Sequence, residues 1–394
     1  MLWSSIHIPP LDHLHAPASV RSGLKRTVEA WLERSATCPL SVSLFDFTNR
    51  VALNANLEEH PFALQLMAVS RRLRCLALAA DAELIRPLLQ LDPGNFPLLK
   101  SIRMKTLPSQ TPATNTLEIP SLEDVALCLT VANDPLSLPL PWSQLKRLRL
   151  ECYCRWTEHG QEGGVDCDRA LDILRKCPNL EQCDIQVTRP SSLTCNPSSV
   201  VLPKLHTLVL RGWEFQVHKW IDLVAPNLRS LQIGEVTMTN IVPRSNHACL
   251  SVIIDFTRFT TTSLHELLQS LPMISHLQLM PGLYHPDSMF VDDEFMALFS
   301  PPHNLCPRLT DIGIFAAPPA GLSDAAALAF IKTRMTILTP LRRFQAYFNR
   351  PMQLDLMAEL QCFISDGLQV ELEYPAALWG FRAQEGLDGP GAFY

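Results

Sequence analysis

One short apolar phrase, Pro-x-Leu-x-x-Leu-x-Leu with minor substitutions, recurs along almost the whole chain. It runs from Pro97-Leu98-Leu99 to Met104, from Pro120-Ser121-Leu122 to Val125 and Leu127, and from Pro141 to Leu145, Leu148 and Leu150. Pro178 introduces Leu180, Cys183 and Ile185; Pro203 introduces Leu205, Leu208 and Leu210; Pro226 introduces Leu228, Leu231 and Ile233. Pro272 precedes Ile274, Leu277 and Leu279, Pro307 precedes Leu309, Ile312 and Ile314, and Pro340 precedes Leu341, Phe344 and Ala346. A unit this short cannot bury its own leucines, so neighbouring units must cover one another.

The first apolar position of each copy falls at Leu99, Leu122, Leu145, Leu180, Leu205, Leu228, Ile274, Leu309 and Leu341, which gives steps of 23, 23, 35, 25, 23, 46, 35 and 32 residues. Several lie in the 20–29 range of leucine-rich repeats. The step of 46 is twice 23 and points to a degenerate copy at Leu250, Val252 and Ile254. An earlier copy reads Leu73, Leu76 and Leu78. The last apolar pair of each copy alternates with polar residues, as in a strand buried on one face.

The connecting segments carry a helical period. Ala170, Leu171, Ile173 and Leu174 form one face of Asp168 to Lys176, and Leu264, Leu267, Leu268 and Leu271 one face of Ser263 to Leu271, each ended by a proline. Helices are also expected at Lys219 to Ala225, Asp293 to Phe299, Asp324 to Met335 and Asp355 to Ile364. Asp292, Asp293 and Glu294 suit a helix N-terminus, where carboxylates meet the positive end of the dipole. Leu24, Val28, Trp31 and Leu32 stripe a helix from Leu24 to Arg34 that would cap the first repeat. The fold expected is α/β, a leucine-rich-repeat-like solenoid or horseshoe with a parallel concave sheet and helices or irregular segments on the convex side. An ordinary parallel βαβ domain is the alternative. The division expected is 1–68 as a cap, 69–372 as an irregular solenoid and 373–394 as a flexible tail, with fraying from Glu371 onward.

Composition limits the function classes. Charged residues make up 18% of the chain and the formal charge is −6, which leaves no general basic footprint for nucleic acid. Arg71, Arg72 and Arg74, Lys146, Arg147 and Arg149, and Arg342 and Arg343 are local clusters beside repeat strands and read as polar strand faces. His7, Pro9, Pro10, Asp12 and His13 interrupt any signal-peptide pattern at the start, and no run reaches the roughly 18 apolar residues that span a bilayer. A soluble cytoplasmic or nuclear protein without membrane contact is expected.

The 12 cysteines are thinly scattered, and Cys177 and Cys183 occupy repeat positions as small buried groups. Cys152, Cys154, His159 and Cys167 could supply a tetrahedral zinc site, but paired Cys-x-x-Cys knuckles are missing. A repeat turn with an inserted loop is preferred there, consistent with Gly160, Gly163 and Gly164 and with the 35-residue step. No phosphate loop, nucleophile elbow, zinc helix or dinucleotide fingerprint occurs, so neither catalysis nor a cofactor is expected. His206, His265 and His276 read as polar surface.

The segments Leu138-Pro139-Leu140-Pro141-Trp142-Ser143-Gln144-Leu145-Lys146-Arg147-Leu148 and Leu174-Arg175-Lys176-Cys177-Pro178-Asn179-Leu180-Glu181-Gln182-Cys183 resemble a known pattern. So do Trp31-Leu32-Glu33-Arg34-Ser35 with Cys38-Pro39-Leu40, Leu267-Leu268-Gln269-Ser270-Leu271-Pro272, and Leu305-Cys306-Pro307-Arg308-Leu309-Thr310. They are similar to F-box proteins with degenerate leucine-rich repeats, a family numerous in mushroom-forming fungi. The resemblance implies a substrate receptor of a Skp–cullin–F-box ubiquitin ligase. Met1-Leu2-Trp3-Ser4-Ser5-Ile6 resembles the phrase just after the F-box, and the F-box itself is absent from this chain. A Skp-type adaptor would therefore be a partner only if an F-box were supplied upstream. A stand-alone interaction scaffold is the other reading.

In either case the residues alternating with the buried leucines would form a docking face for a protein partner. They are Arg103, Lys105, Arg147, Arg149, Glu151, Gln182, Asp184, Gln186, Arg211, Gln232, His276, Gln278, Phe315, Arg343, Gln345 and Tyr347. Arginine and aromatic members suit energetic anchors. Trp142 and Trp213 lie beside strands and read as core.

Overall fold

A computed structural model describes residues 4–8, 17–45, 61–80, 85–106, 115–129, 135–152, 154–157, 160–189, 199–212, 223–234, 250–256, 259–280, 291–317, 321–348 and 350–374. The protein is mixed α/β, and among these residues fourteen strands lie in parallel sheet. Two compact units divide the chain, Met1–Leu231 and Gln232–Tyr394.

In the first unit the strands β1 (Ser5–Ile8), β2 (Leu40–Phe45), β3 (Leu73–Ala80), β4 (Ser101–Thr106), β5 (Asp124–Leu129) and β6 (Arg147–Cys152) pair in chain order, each parallel to the next. An antiparallel hairpin of β7 (Cys154–Thr157) and β8 (Gly160–Gly163) interrupts the series. That hairpin accounts for the 35-residue step. The ladder resumes with β9 (Gln182–Val187) beside β6, and β11 (Thr207–Gly212) beside β9. A small parallel pair, β10 (Val200–Val201) with β12 (Leu223–Val224), stands apart from it, and β13 (Ser230–Ile233) follows β11 in strand order.

The recurring proline has a geometric cause. Amides of Leu99, Leu122, Leu180, Leu205, Leu228, Ile274 and Leu309 donate to the carbonyls of Phe96, Ile119, Cys177, Leu202, Ala225, Leu271 and Cys306, three residues earlier, at 3.0–3.3 Å. In each of these β-turns the second residue is proline, whose fixed φ suits that position and whose missing N–H is not needed there. Pro141 departs from the rule: it precedes the turn that Leu145 closes on Trp142. After the turn, paired amides continue the ladder. Lys146 and Arg147 both donate to Glu123 O, and Glu181 and Gln182 both donate to Lys146 O.

Alternate strand residues are buried. Leu148 and Leu150, Cys183 and Ile185, and Leu208 and Leu210 face the core, while Arg147 and Arg149 are exposed between them. Behind the strands run α1 (Ala18–Arg34), α2 (Pro61–Ala68), α3 (Arg86–Leu89) and α4 (Cys167–Lys176). Helix α4 starts where Asp166 accepts the Arg169 amide at 2.8 Å, buries Cys167, Ala170, Leu171, Ile173 and Leu174, and ends on Arg175 and Lys176. Helix α1 begins earlier than its apolar stripe and buries Val28 and Leu32.

In the second unit β14 (Leu250–Asp255), β15 (Ile274–Met280), β16 (Asp311–Ala317), β17 (Arg343–Phe348) and β18 (Gln369–Glu373) pair parallel in chain order. The degenerate copy at Leu250, Val252 and Ile254 is thus a strand. Its helices are α5 (Thr261–Ser270), α6 (Asp293–Ala297), α7 (Asp324–Met335), α8 (Leu356–Glu359) and α9 (Gln361–Ser365). Phe299 lies 5.4 Å from Phe295 and 6.1 Å from Phe330, ring to ring, and Phe330 lies 6.0 Å from Phe344, so aromatic rings fill the space between helices and sheet.

Some expectations need correction. Leu223 and Val224, read as helix, form β12, because two β-branched or branched residues beside β10 satisfy their backbone in a ladder; residues 219–222 lie outside the described set. The single helix expected from Asp355 to Ile364 is two short ones meeting at Leu360. Glu371 does not fray: it pairs with Gln345 in the β17–β18 ladder. Trp142 is only half-buried, and Trp213 lies outside the described residues. No helix among the described residues is long and apolar enough to cross a membrane.

Candidate functional site

Parallel pairing places equivalent residues of successive repeats in rows. In the first unit one row reads Ser101, Asp124, Arg147, Gln182 and Thr207, and the next reads Ala77, Arg103, Ala126, Arg149, Asp184 and Val209. A third row carries Ala79, Lys105, Cys128 and Glu151. Because side chains alternate across a strand, all of these share the face opposite the leucines.

That face holds an open groove of about 790 Å³, lined among others by His7, Ser43, Arg103, Lys105, Arg149 and Asp184. Seven residues expected at the docking face line it: Arg103, Lys105, Arg147, Arg149, Glu151, Gln182 and Asp184. Arg211 joins them through charge, reaching Glu151 at 3.3 Å and donating to Asp184. Arg149 donates to Glu151 and lies 3.5 Å from Asp184. These four charges, from β6, β9 and β11, form one alternating cluster. Burial pushes the Asp184 carboxyl above its usual range, against the pull of Arg211 and Arg149. On the neighbouring row, Arg147 meets Asp124 at 3.0 Å and Ser101 donates to the same carboxylate oxygen at 3.1 Å.

Gln186 departs from expectation: it stands on the same face, in register with Arg211, but is buried there. His7, Ser43, Phe45 and Asp124 also line the groove, outside the set expected at the docking face. His7 Nδ1 and Ser43 Oγ are 2.6 Å apart, and the His7 ring sits 5.2 Å from Phe45. Asp124 occupies the same repeat position as Arg147 and Gln182, so the alternation rule applied evenly would have found it.

In the second unit the corresponding face carries His276, Gln278, Phe315, Arg343, Gln345 and Tyr347; Gln232 is half-buried on β13. His276 Nε2 lies 3.3 Å from Asp311, Phe315 and Tyr347 stack at 4.8 Å, and Arg343 meets Glu371 at 3.2 Å. Among the described residues no cluster of histidine, cysteine or carboxylate side chains is arranged to hold a metal. Cys152 and Cys167 are buried, whereas the Cys154 side chain and His159 lie outside the described set.

No family model matches the chain, and no curated protein matches it. Among solved structures, one of a protein from Bacteroides fragilis aligns over 89% of this chain and 83% of its own, at 12% identity and a TM-score of 0.23. A likeness at that level carries no argument about fold or function.

Proposed function

We propose that the chain is a leucine-rich-repeat-like solenoid that binds another protein across the polar face of its parallel sheet, the concave side of the arc, without catalysing a reaction. The supporting observation is the alignment of outward-facing residues from β3 to β11 into continuous rows along one open groove. Rigid strands hold those side chains at fixed spacing, which suits recognition of an extended macromolecular surface. The sequence resemblance adds the reading that this surface is the substrate-receptor part of an F-box ubiquitin ligase inside the cell, the F-box being supplied upstream.

The test compares the wild-type chain with Ala126→Trp, which fills the groove without touching the leucine core. A partner captured by cross-linking from cell extract should be retained by the wild type and lost by the variant; equal capture by both removes the groove from the reading. Co-purification of Skp-type and cullin subunits with the gene product carrying any upstream segment supports the ligase role. Their absence, with the partner still captured, favours the stand-alone scaffold.

A further inference from the structure

The ion pairs on the first unit's face leave a specific charge unmatched. Arg147 is paired with Asp124, and Arg149 and Arg211 are neutralised by Glu151 and Asp184. Arg103 and Lys105, both exposed on β4, have no carboxylate partner among the described residues. Counting Arg211 with the groove lining, five cations face three carboxylates among the described residues, an excess of two, although the whole chain carries a formal charge of −6.

The neighbours of these cations are short. Arg103 lies between Ala77 and Ala126 in its row, and Lys105 between Ala79 and Cys128. Each cation therefore has open floor on both sides, from which a ligand group can approach. Arg103 and Lys105 are two residues apart on one strand, a spacing of about 6.6 Å, close to that of alternate side chains in an extended peptide. Two carboxylates carried at positions i and i+2 of such a peptide match the pair directly.

We propose that this groove binds an extended, carboxylate-rich segment of a partner protein, with Arg103 and Lys105 as its charge contacts. The inference rests on the protein-binding reading and names the partner's chemistry. A nucleic-acid backbone fits less well, because Asp124, Glu151 and Asp184 interrupt the cations that a phosphate chain would need in an unbroken stripe. At physiological salt the field of the remaining surface is screened beyond roughly 8 Å, so the local excess governs the encounter at close range.

The test uses the full chain and fluorescein-labelled octapeptides of alternating Glu and Ser, alternating Lys and Ser, and alternating Gly and Ser, with an eight-nucleotide oligouridine as a further probe. Anisotropy should show the Glu-Ser peptide binding at least tenfold tighter than the other three and weakening as salt rises. Arg103→Ala and Lys105→Ala should each weaken it several-fold, Lys105→Glu should abolish it, and Arg342→Ala, on the second unit, should leave it unchanged. No binding of the Glu-Ser peptide overturns the proposal, as does binding that survives Lys105→Glu, or a preference for oligouridine. If a cross-linked partner is still lost with Ala126→Trp while the Glu-Ser peptide fails, the acidic chemistry is wrong and the protein-binding reading stands. If both fail, the groove is not a binding site.

Discussion

Asp324 Oδ1 accepts a hydrogen bond from Arg350 Nη2 at 2.6 Å, and both side chains are buried, 1% and 7% exposed. The carboxylate also accepts the amides of Gln353 and Leu354 at 2.7 and 2.8 Å and the Tyr374 hydroxyl at 3.1 Å. Arg350 donates to Leu322 O at 2.9 Å and lies 4.7 Å over the Phe348 ring. The pair thus fastens the first turn of α7 to the chain after β17. Burial works against the Asp324 anion, but Arg350 and the two amides outweigh it and hold its carboxyl below the usual range.

Removing one partner leaves the other buried and uncompensated. Asp324→Ala should cost about 3–5 kcal/mol in urea denaturation, and Asp324→Ala with Arg350→Met should cost less than the sum of the single changes. A folded-state pKa below the unfolded one supplies stability above the ordinary carboxylate range and loses it as pH falls. Asp324→Asn should therefore flatten the acid limb of the stability curve. An unchanged limb would show that the anion is not held as described.

Glu123 is the partly exposed counterpart. Its two oxygens accept from Lys146 at 2.8 Å and Lys100 at 2.9 Å, and these bonds, Lys146 foremost, bring its pKa down to about 2. Surface pairs of this kind are worth ~0.2–1 kcal/mol each, so Glu123→Gln should cost about 1 kcal/mol at neutral pH. The pKa is depressed on folding, so the difference should persist above pH ~4.5 and vanish as pH falls through about 2. Thermal unfolding across pH checks the sign, and high salt should shrink the effect.

The turn prolines act chiefly through the unfolded chain. Pro178→Ala and Pro203→Ala keep the turns closed by Leu180 and Leu205, whose amides donate at 3.1 and 3.3 Å, yet free φ before folding. Each should cost ~0.4–1 kcal/mol. The urea midpoint should fall without a change of slope; a changed slope would mean that the native turn itself has opened.

Most of the strand series was legible because the same physics repeats: a proline-led turn, a buried leucine, then two inward residues on a half-buried strand. Strands β1, β2 and β18 are harder to read because none follows the full phrase; Leu40, Val42 and Leu44 alternate with Ser41 and Ser43 after Pro39, but the Leu-x-x-Leu spacing of the repeat is missing. Leu223 and Val224 looked helical from local pattern, and only the partner β10 decides their state. At the site, alternation located the outward face, but the groove depends on which neighbours are short. Ala77, Ala126 and Cys128 carry that information only once register sets them beside Arg103 and Lys105. The burial of Gln186 likewise depends on its cross-strand surroundings and not on its place in the repeat.

Two glycines give opposite expectations. Gly212 has φ +129°, and a Cβ there would stand 1.6 Å from the Val187 carbonyl oxygen. Gly212→Ala should cost about 3 kcal/mol or more, since both backbone strain and overlap with β9 oppose it. Gly23 lies within α1, and beyond its chain neighbours and the local helix backbone nothing stands within 4 Å of an added Cβ. Gly23→Ala should stabilise by ~0.5–1 kcal/mol through helix propensity. Paired melting curves test both, and equal shifts for the two variants would contradict the backbone assignment.

Arg211 provides a pH test of the charged cluster. It bridges Glu151 on β6 and Asp184 on β9 and is itself half-buried on β11. Burial already raises the Asp184 carboxyl, with Arg211 the strongest influence holding it down. In Arg211→Met that restraint is gone, so the carboxyl rises further. A group whose pKa is raised on folding favours the folded state at low pH and loses that contribution as pH climbs through its folded value. The variant should therefore lose ~1–3 kcal/mol at pH 7 and much less at pH 4, where Asp184 can fold protonated. Asp184→Asn in the Arg211→Met background should recover part of the neutral-pH loss, because the half-buried anion left with Arg149 as its remaining cation is then removed. Equal losses at the two pH values in urea denaturation, or no recovery in the double variant, would remove Asp184 as the group through which Arg211 acts.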